Sequence, residues 1–270
     1  MDAPQPSASE ARRFHDARWR RRLFRSLTIL FGLMMIFIPG AGLVDLQSII
    51  PGVGLPKQGP FDAAHGIVTV VFVAGALFAQ ARAPQLKIAG LQQLALTAVA
   101  IVLSALVGLD AVTLVEACVL AVVVAVLLPL HPARRQFLAR GRTSLSTATL
   151  ALAGAIPLVV YALTMAARTR AHELPYPGAS EDGPNDWLNF TAVALSIGLV
   201  AGLAALRTQG WRIPAWSAAA AALLLAVSWL FYPVRGGSEP FPAAALLALW
   251  SVGLLAVSEW DSRNRGADSP

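Results

Sequence analysis

The most constraining feature of this chain is the recurrence of unbroken apolar stretches about twenty residues long, the length of helix that crosses a bilayer. "AVTLVEACVLAVVVAVLLPL", Ala111 to Leu130, is one of them. In lipid only helices or closed barrels satisfy every backbone polar group. The runs are continuous rather than alternating, so they are not barrel strands. The composition agrees, with 56% hydrophobic and 13% charged residues, about half the charge of a soluble domain. The expected fold class is an all-α integral membrane protein. Eight transmembrane helices are expected at 23–43, 64–82, 88–108, 111–130, 145–166, 187–206, 213–232 and 241–259.

Charge placement gives the expected orientation. Of 21 Lys and Arg residues, only Lys57, Arg168, Arg170 and Arg235 fall on one side of these spans. The rest fall on the other, which the positive-inside rule makes cytoplasmic, together with both termini. The bacterial cytoplasmic (plasma) membrane is the expected location. The net charge of +6 is then a matter of topology and anionic lipid rather than nucleic acid. Trp19, Trp187, Trp211, Trp216, Trp229 and Trp260 fall near the expected interfaces, where indole is favoured. Residues 1–22 form a basic juxtamembrane arm expected on the cytoplasmic leaflet surface. The first span is read as a retained anchor, because "IPGAG" is a poor match to a signal-peptidase site. Residues 23–130 form a first four-helix half, 131–144 a basic cytoplasmic loop, and 145–259 a second half. Residues 260–270 read as a disordered cytoplasmic tail.

The two halves share an outline. Each begins inside, spans once, makes a long outer loop and then spans three more times. "RAPQLKIAG" from Arg82 and "RTQGWRIPA" from Arg207 keep the same basic spacing, each basic pair followed by Ile. Two parallel repeats related by an axis along the membrane normal would produce this; so would any two sets of short basic loops.

One carboxylate, Glu116, interrupts the fourth span. Counting from the Asp110 turn places Glu116 and Ser104 at one depth, about 8–9 Å below the outer end at 1.5 Å per residue. The small residues Ala117, Ala121 and Ala125 suggest a packed face beside it, and Ala194, Gly198 and Gly202 suggest another on the sixth span. Gln93, Thr97 and Ser104 form a sparse polar stripe on the third span, and Pro157 predicts a kink in the fifth. Asp62, Asp110 and Asp186 each precede a span that starts outside, the position of an N-cap. His65, one turn after Asp62, is within hydrogen-bonding range of it. Depth matching collects a candidate outer pocket: Glu116, His65, Asp62, Ser104, Thr69, Tyr161, Asn189 and Ser228.

Other chemistry is sparse. His65 and His131 lie at opposite ends of their helices, about 30 Å apart at 1.5 Å per residue, so they cannot share an ion. Zinc-protease, nucleophile-elbow and phosphate-loop patterns are missing from the sequence. No catalytic residue, metal or cofactor is assigned, and the enzyme reading is the weakest. "PGVGLP" at 51–56 reads as a turn. "HPARR" reads as a helix stop, with His131, Arg134 and Arg135 as a candidate cytoplasmic lipid or anion contact.

At "AAHG", "LKIAGLQQ", "LLPLHPARR" and "GWRIPAW" the chain resembles a family of multi-pass membrane proteins of actinobacterial type. The resemblance covers residues 60–260. It implies location and architecture, and it carries no activity or functional residue. Two functions follow as expectations. One is a transporter or a small-molecule- or lipid-binding membrane protein with an outward-facing pocket. The other is a non-catalytic accessory or assembly subunit. The expected partners are the bilayer, anionic lipid at the cytoplasmic face, and a protein partner or second copy of the chain.

Overall fold

In the computed structural model, residues 8–37, 42–50, 59–139, 141–174 and 186–267 are described, with side chains at 18–37, 42–50, 59–139, 141–174 and 186–264. The turn expected at 51–56, the end of the first span and most of the loop before Asp186 lie outside these residues. Nine helices are present among them: α1 (Ala8–Phe37), α2 (Leu43–Gln47), α3 (Gly59–Arg82), α4 (Ile88–Gly108), α5 (Ala111–Leu130), α6 (Leu145–Arg170), α7 (Asp186–Ala205), α8 (Arg212–Phe231) and α9 (Phe241–Ala267). Seven of them, α3 to α9, are long and apolar enough to cross a membrane. The protein is thus a multi-pass, all-helical chain of membrane type. The described apolar part of α1, 23–37, is shorter and follows a basic stretch.

Helix contacts follow one scheme twice. Among α1, α3, α4 and α5, the first helix packs on the second, the second on the third, the third on the fourth, and the fourth returns to the first. The set α6, α7, α8 and α9 repeats that ring. Between the sets, α4 packs on α7 and α3 packs on α8. The last helix of each set, α5 and α9, is peripheral, and α7 is the most enclosed.

Several local expectations are revised. The arm and the first span form one uninterrupted helix, because no proline breaks the chain between Ala8 and Phe37. The tail expected to be disordered is helical to Ala267. The reason is pairing: Arg212 clamps Glu259 with two hydrogen bonds of 2.9 and 2.8 Å. Asp261 accepts hydrogen bonds from Ser144 and Ser146 and lies 3.8 Å from Arg207. On α5 the buried face is Ala117, Leu120, Val123 and Leu127, while Ala121, Ala125 and Cys118 face outward. A four-residue stripe drifts around an α-helix of about 3.6 residues per turn, so the alanines leave the seam that the larger residues follow. On α7, Ala194 is buried and Gly198 meets Ala155 of α6, but Gly202 faces open space. Trp187 and Trp229 are turned inward and buried, whereas Trp19, Trp216 and Trp260 are exposed.

The centre of α3 is unusual. Residues Ile67–Ala74 form a π-helix inside the span, and the Gly75 N–H reaches back to the Val70 carbonyl. Wide turns disturb the backbone ladder, and Gln93 of α4 compensates, donating to the Phe72 carbonyl at 2.9 Å and to Ser217 Oγ at 3.0 Å. One of the three residues of the polar stripe on α4 is thereby explained as helix-to-helix bonding. Ser104 likewise donates to the Leu188 carbonyl of α7 at 3.0 Å. Such π segments concentrate at functional sites because they re-aim side chains.

Candidate functional site

The end of the bundle carrying the α4–α5 turn is organised by three local devices. Leu109 adopts the left-handed conformation that closes α4. Asp110 then caps α5, its carboxylate accepting from the Thr113 N–H at 2.6 Å. This is the N-cap expected of Asp110; Asp62 and Asp186 sit in first turns but cap nothing among the described residues. The third device is a fold-back after α1. Gly42, at φ 76°, turns the chain and α2 lies across the start of α3. Gly66 permits that approach, since a Cβ there would stand 2.3 Å from the Leu46 nitrogen. Tyr232 holds the far end, donating to the Ser48 carbonyl at 2.8 Å.

The fold-back delivers Asp45 to His65. His65 Nδ1 lies 2.7 Å from Asp45 Oδ2, with both side chains largely buried. The carboxylate accepts the Nδ1 proton and fixes the ring, so Nε2 is the atom left for a ligand: an acceptor when the ring is neutral, a donor when it is charged. Asp62, Glu116 and Asp186 are all within electrostatic reach of this imidazole. None of the three makes a hydrogen bond or ion pair with a described residue. The partner expected for His65 was Asp62; the observed one is Asp45, because α2 approaches Nδ1 from across the helix rather than along it.

Below this polar group lies a cavity of about 320 Å³ between α1, α3, α4, α5 and α7. His65, Thr69, Thr113, Glu116 and Asn189 form its polar part. Phe31, Met35, Val73, Leu77, Ile101 and Leu120 are among its apolar walls. Its mouth is at α5, where Glu116 and Val119 are exposed, so it opens sideways at the depth of the spans. The π segment matters here. His65, Thr69, Val73 and Leu77 recur every four residues, a repeat that would rotate away along a regular helix. The wider π turns wind it back, and all four face the cavity. Glu116 is set on the same sector of α5 as Leu120 and Val123, four and seven residues on.

Of the eight residues that depth matching collected, the cavity gathers His65, Thr69, Glu116 and Asn189. Asp62 stands behind His65. Ser104 is fully buried on the α7 backbone. Tyr161 and Ser228 lie in the second set of helices, Tyr161 as part of a row of aromatic rings and Ser228 buried next to another of its members, Trp229. That row runs Trp187, Phe61, Phe190, Tyr161 and Trp229, with successive centroids 5.2, 5.1, 6.2 and 5.1 Å apart. Equal depth in a helix says nothing about which side of such a wall a residue occupies.

The candidate cytoplasmic contact is also taken apart. His131 is 1% exposed, packs edge-on against Phe24 and accepts the Ala133 N–H on Nδ1. Burial pushes its pKa down from 6.5 to about 4, so the ring is neutral and does not hold an anion. Arg134 donates to the Pro129 carbonyl at 2.7 Å, capping α5 from outside. His131 is therefore part of the helix end rather than of a headgroup site.

Sequence reasoning missed Asp45, Thr113 and the π segment. Asp45 had one signal: a lone carboxylate in "LVDLQSII", an apolar stretch too polar at one point to continue a span. Among the described residues no group of three or more His, Cys, Asp and Glu side chains is arranged to hold a metal ion. Comparison with protein-family models, with curated proteins and with solved structures finds no match.

Proposed function

We propose that this protein binds an amphipathic small molecule or lipid in the cavity headed by His65 and Glu116, as a transporter or a lipid-handling membrane protein. One observation carries the reading: a polar head of His65, Glu116, Thr69, Thr113 and Asn189 sits over apolar walls and opens sideways at Glu116. Pockets of this kind place a few polar groups to orient a ligand and leave affinity to apolar contact. Glu116, the carboxylate that lines the cavity, has no partner among the described residues and favours a ligand that presents a hydroxyl, an amine or another donor. Ionisable groups at membrane depth are costly, and Glu116 lies on the cavity face of α5.

The protein is placed in the bacterial cytoplasmic membrane with eight spans and both termini inside. The short loops on the Arg134 side carry the basic residues, which supports that orientation. We read the two sets of four helices as parallel repeats. Their matching contact scheme supports duplication, and with it a pseudo-twofold axis between α3–α4 and α7–α8.

Native mass spectrometry of the protein purified in mild detergent tests the binding role. A small molecule or lipid retained by wild type and lost in Glu116→Gln is the expected result. A co-purifying protein, with no retained small molecule and no effect of the substitution, would make the chain an assembly subunit instead. Reporter fusions after residues 143 and 170 test orientation; an external signal at 143 would reverse it.

A further inference from the structure

A second cavity, of about 620 Å³, lies between α6, α8 and α9, on the far side of the aromatic row. We propose that it is a separate binding site for an amphiphile whose polar end is an organic cation, a primary or quaternary ammonium. The head of this cavity is built from Tyr161, Trp229 and Glu239, and Trp250 lines it deeper down, beside Gly154 and Leu150. The Tyr161 and Trp229 rings are 5.1 Å apart and tilted 58° to each other, two walls of a corner rather than a stack. Tyr161 is fixed by donating its hydroxyl to the Gly237 carbonyl. Trp250 is fixed by donating Nε1 to the Leu150 carbonyl at 2.8 Å. Its ring lies where a Cβ on residue 154 would come within 2.2 Å of it, so Gly154 is the reason the indole fits.

Two features distinguish this head from ordinary aromatic packing. Glu239, on the non-helical segment before α9, makes no hydrogen bond or ion pair with a described residue. It is close enough to Tyr161 for its charge to be felt there. Trp229, although only 4% exposed, lines the cavity together with Tyr161, so both rings border the open space. Aromatic faces attract ammonium groups through their quadrupoles, and a carboxylate without a partner adds the full charge. An anion would meet Glu239 and is excluded. Apart from Trp250 the lower walls are aliphatic, and Val160 and Leu246, both more than half exposed, border the opening. That opening faces the bilayer, so the ligand enters from lipid with its alkyl part down. The site is independent of the His65–Glu116 cavity and shares no residue with it.

The test uses the full chain in nanodiscs of equal phosphatidylglycerol and phosphatidylethanolamine, ejected and weighed by native mass spectrometry. Wild type should retain the amine lipid over phosphatidylglycerol at a ratio of about ten to one, the scale of a desolvated cation–π contact. Glu239→Gln should lose the enrichment, while Glu116→Gln should keep it. A parallel titration in phosphatidylglycerol-only nanodiscs, read by tryptophan fluorescence, compares dodecyltrimethylammonium with dodecyl sulfate. Saturation by the cation alone, again lost in Glu239→Gln, supports the site. If that holds without lipid enrichment, the natural occupant is a soluble hydrophobic amine rather than a lipid. Equal response to cation and anion, or an unchanged Glu239→Gln response, overturns the proposal.

Discussion

The two ends of the helical bundle treat their carboxylates in opposite ways. At the end carrying Arg207 and Arg212, the described acidic side chains Glu259 and Asp261 are both saturated. Glu259 is clamped by Arg212, and Asp261 gathers Arg207, Ser144 and Ser146, while Arg207 also donates to the Ser258 carbonyl at 2.7 Å. At the end carrying Asp110, one imidazole serves Asp45 and faces Asp62, Glu116 and Asp186. Saturated charge ties helices together; unsaturated charge beside a cavity is an offer to a ligand. The same residue type therefore ties helices together at one end and stands without a protein partner beside a cavity at the other.

An isosteric amide separates these roles. Asp261→Asn should have the largest effect on stability, because it strands the nearly buried Arg207. A loss of about 2 kcal/mol is expected for breaking one side of such a network, seen as a fall of about 5 °C in Tm in detergent. Glu116→Gln removes no protein partner, so its Tm should stay within about 1 °C. Its retained ligand should drop by about tenfold or more, the worth of a charged hydrogen bond. If both variants lose stability equally, the contrast between the ends is broken.

Gly66→Ala sharpens it further. The new Cβ collides with the backbone of Leu46, so α2 must move and Asp45 leaves His65. Ligand retention should fall about threefold alongside a loss of about 1 kcal/mol, whereas Gly202→Ala, which meets nothing within 4 Å, should do neither. The smallest effect concerns pH and belongs to the Arg134 end. The His131 ring resists protonation down to about 4, against 6.5 when unfolded. The unfolded chain then binds more protons between these values, so stability is full above about 6.5 and declines as pH falls toward 4. His131→Gln should flatten that decline in a Tm-versus-pH series; an unchanged slope would place the titration elsewhere.

How much of the site was legible in the sequence varies by residue. Glu116 announced itself, since a lone carboxylate in an apolar run has to face protein or pay for lipid. His65, Thr69 and Asn189 followed from depth. Asp45 did not, because its pairing depends on a fold-back that only Gly42 and Gly66 make feasible. Tyr161 and Ser228 matched in depth but belong to the second set of helices, Tyr161 within the aromatic row itself, a wall that no count along one helix reveals. The alanine stripe on α5 misled for a related reason. Small residues permit close approach, but here the seam was set by Leu120, Val123 and Leu127, which fill space.

Membrane class and helical content were determined by the sequence itself. A bilayer imposes length and apolarity on each span independently of its neighbours. The tertiary structure decided which polar groups meet. It wound a π segment into α3, brought Asp45 onto His65 and put two cavities on opposite sides of one aromatic row. Those outcomes rest on close approaches between segments distant in the chain, and a one-dimensional pattern records the period of a helix but not what it leans against.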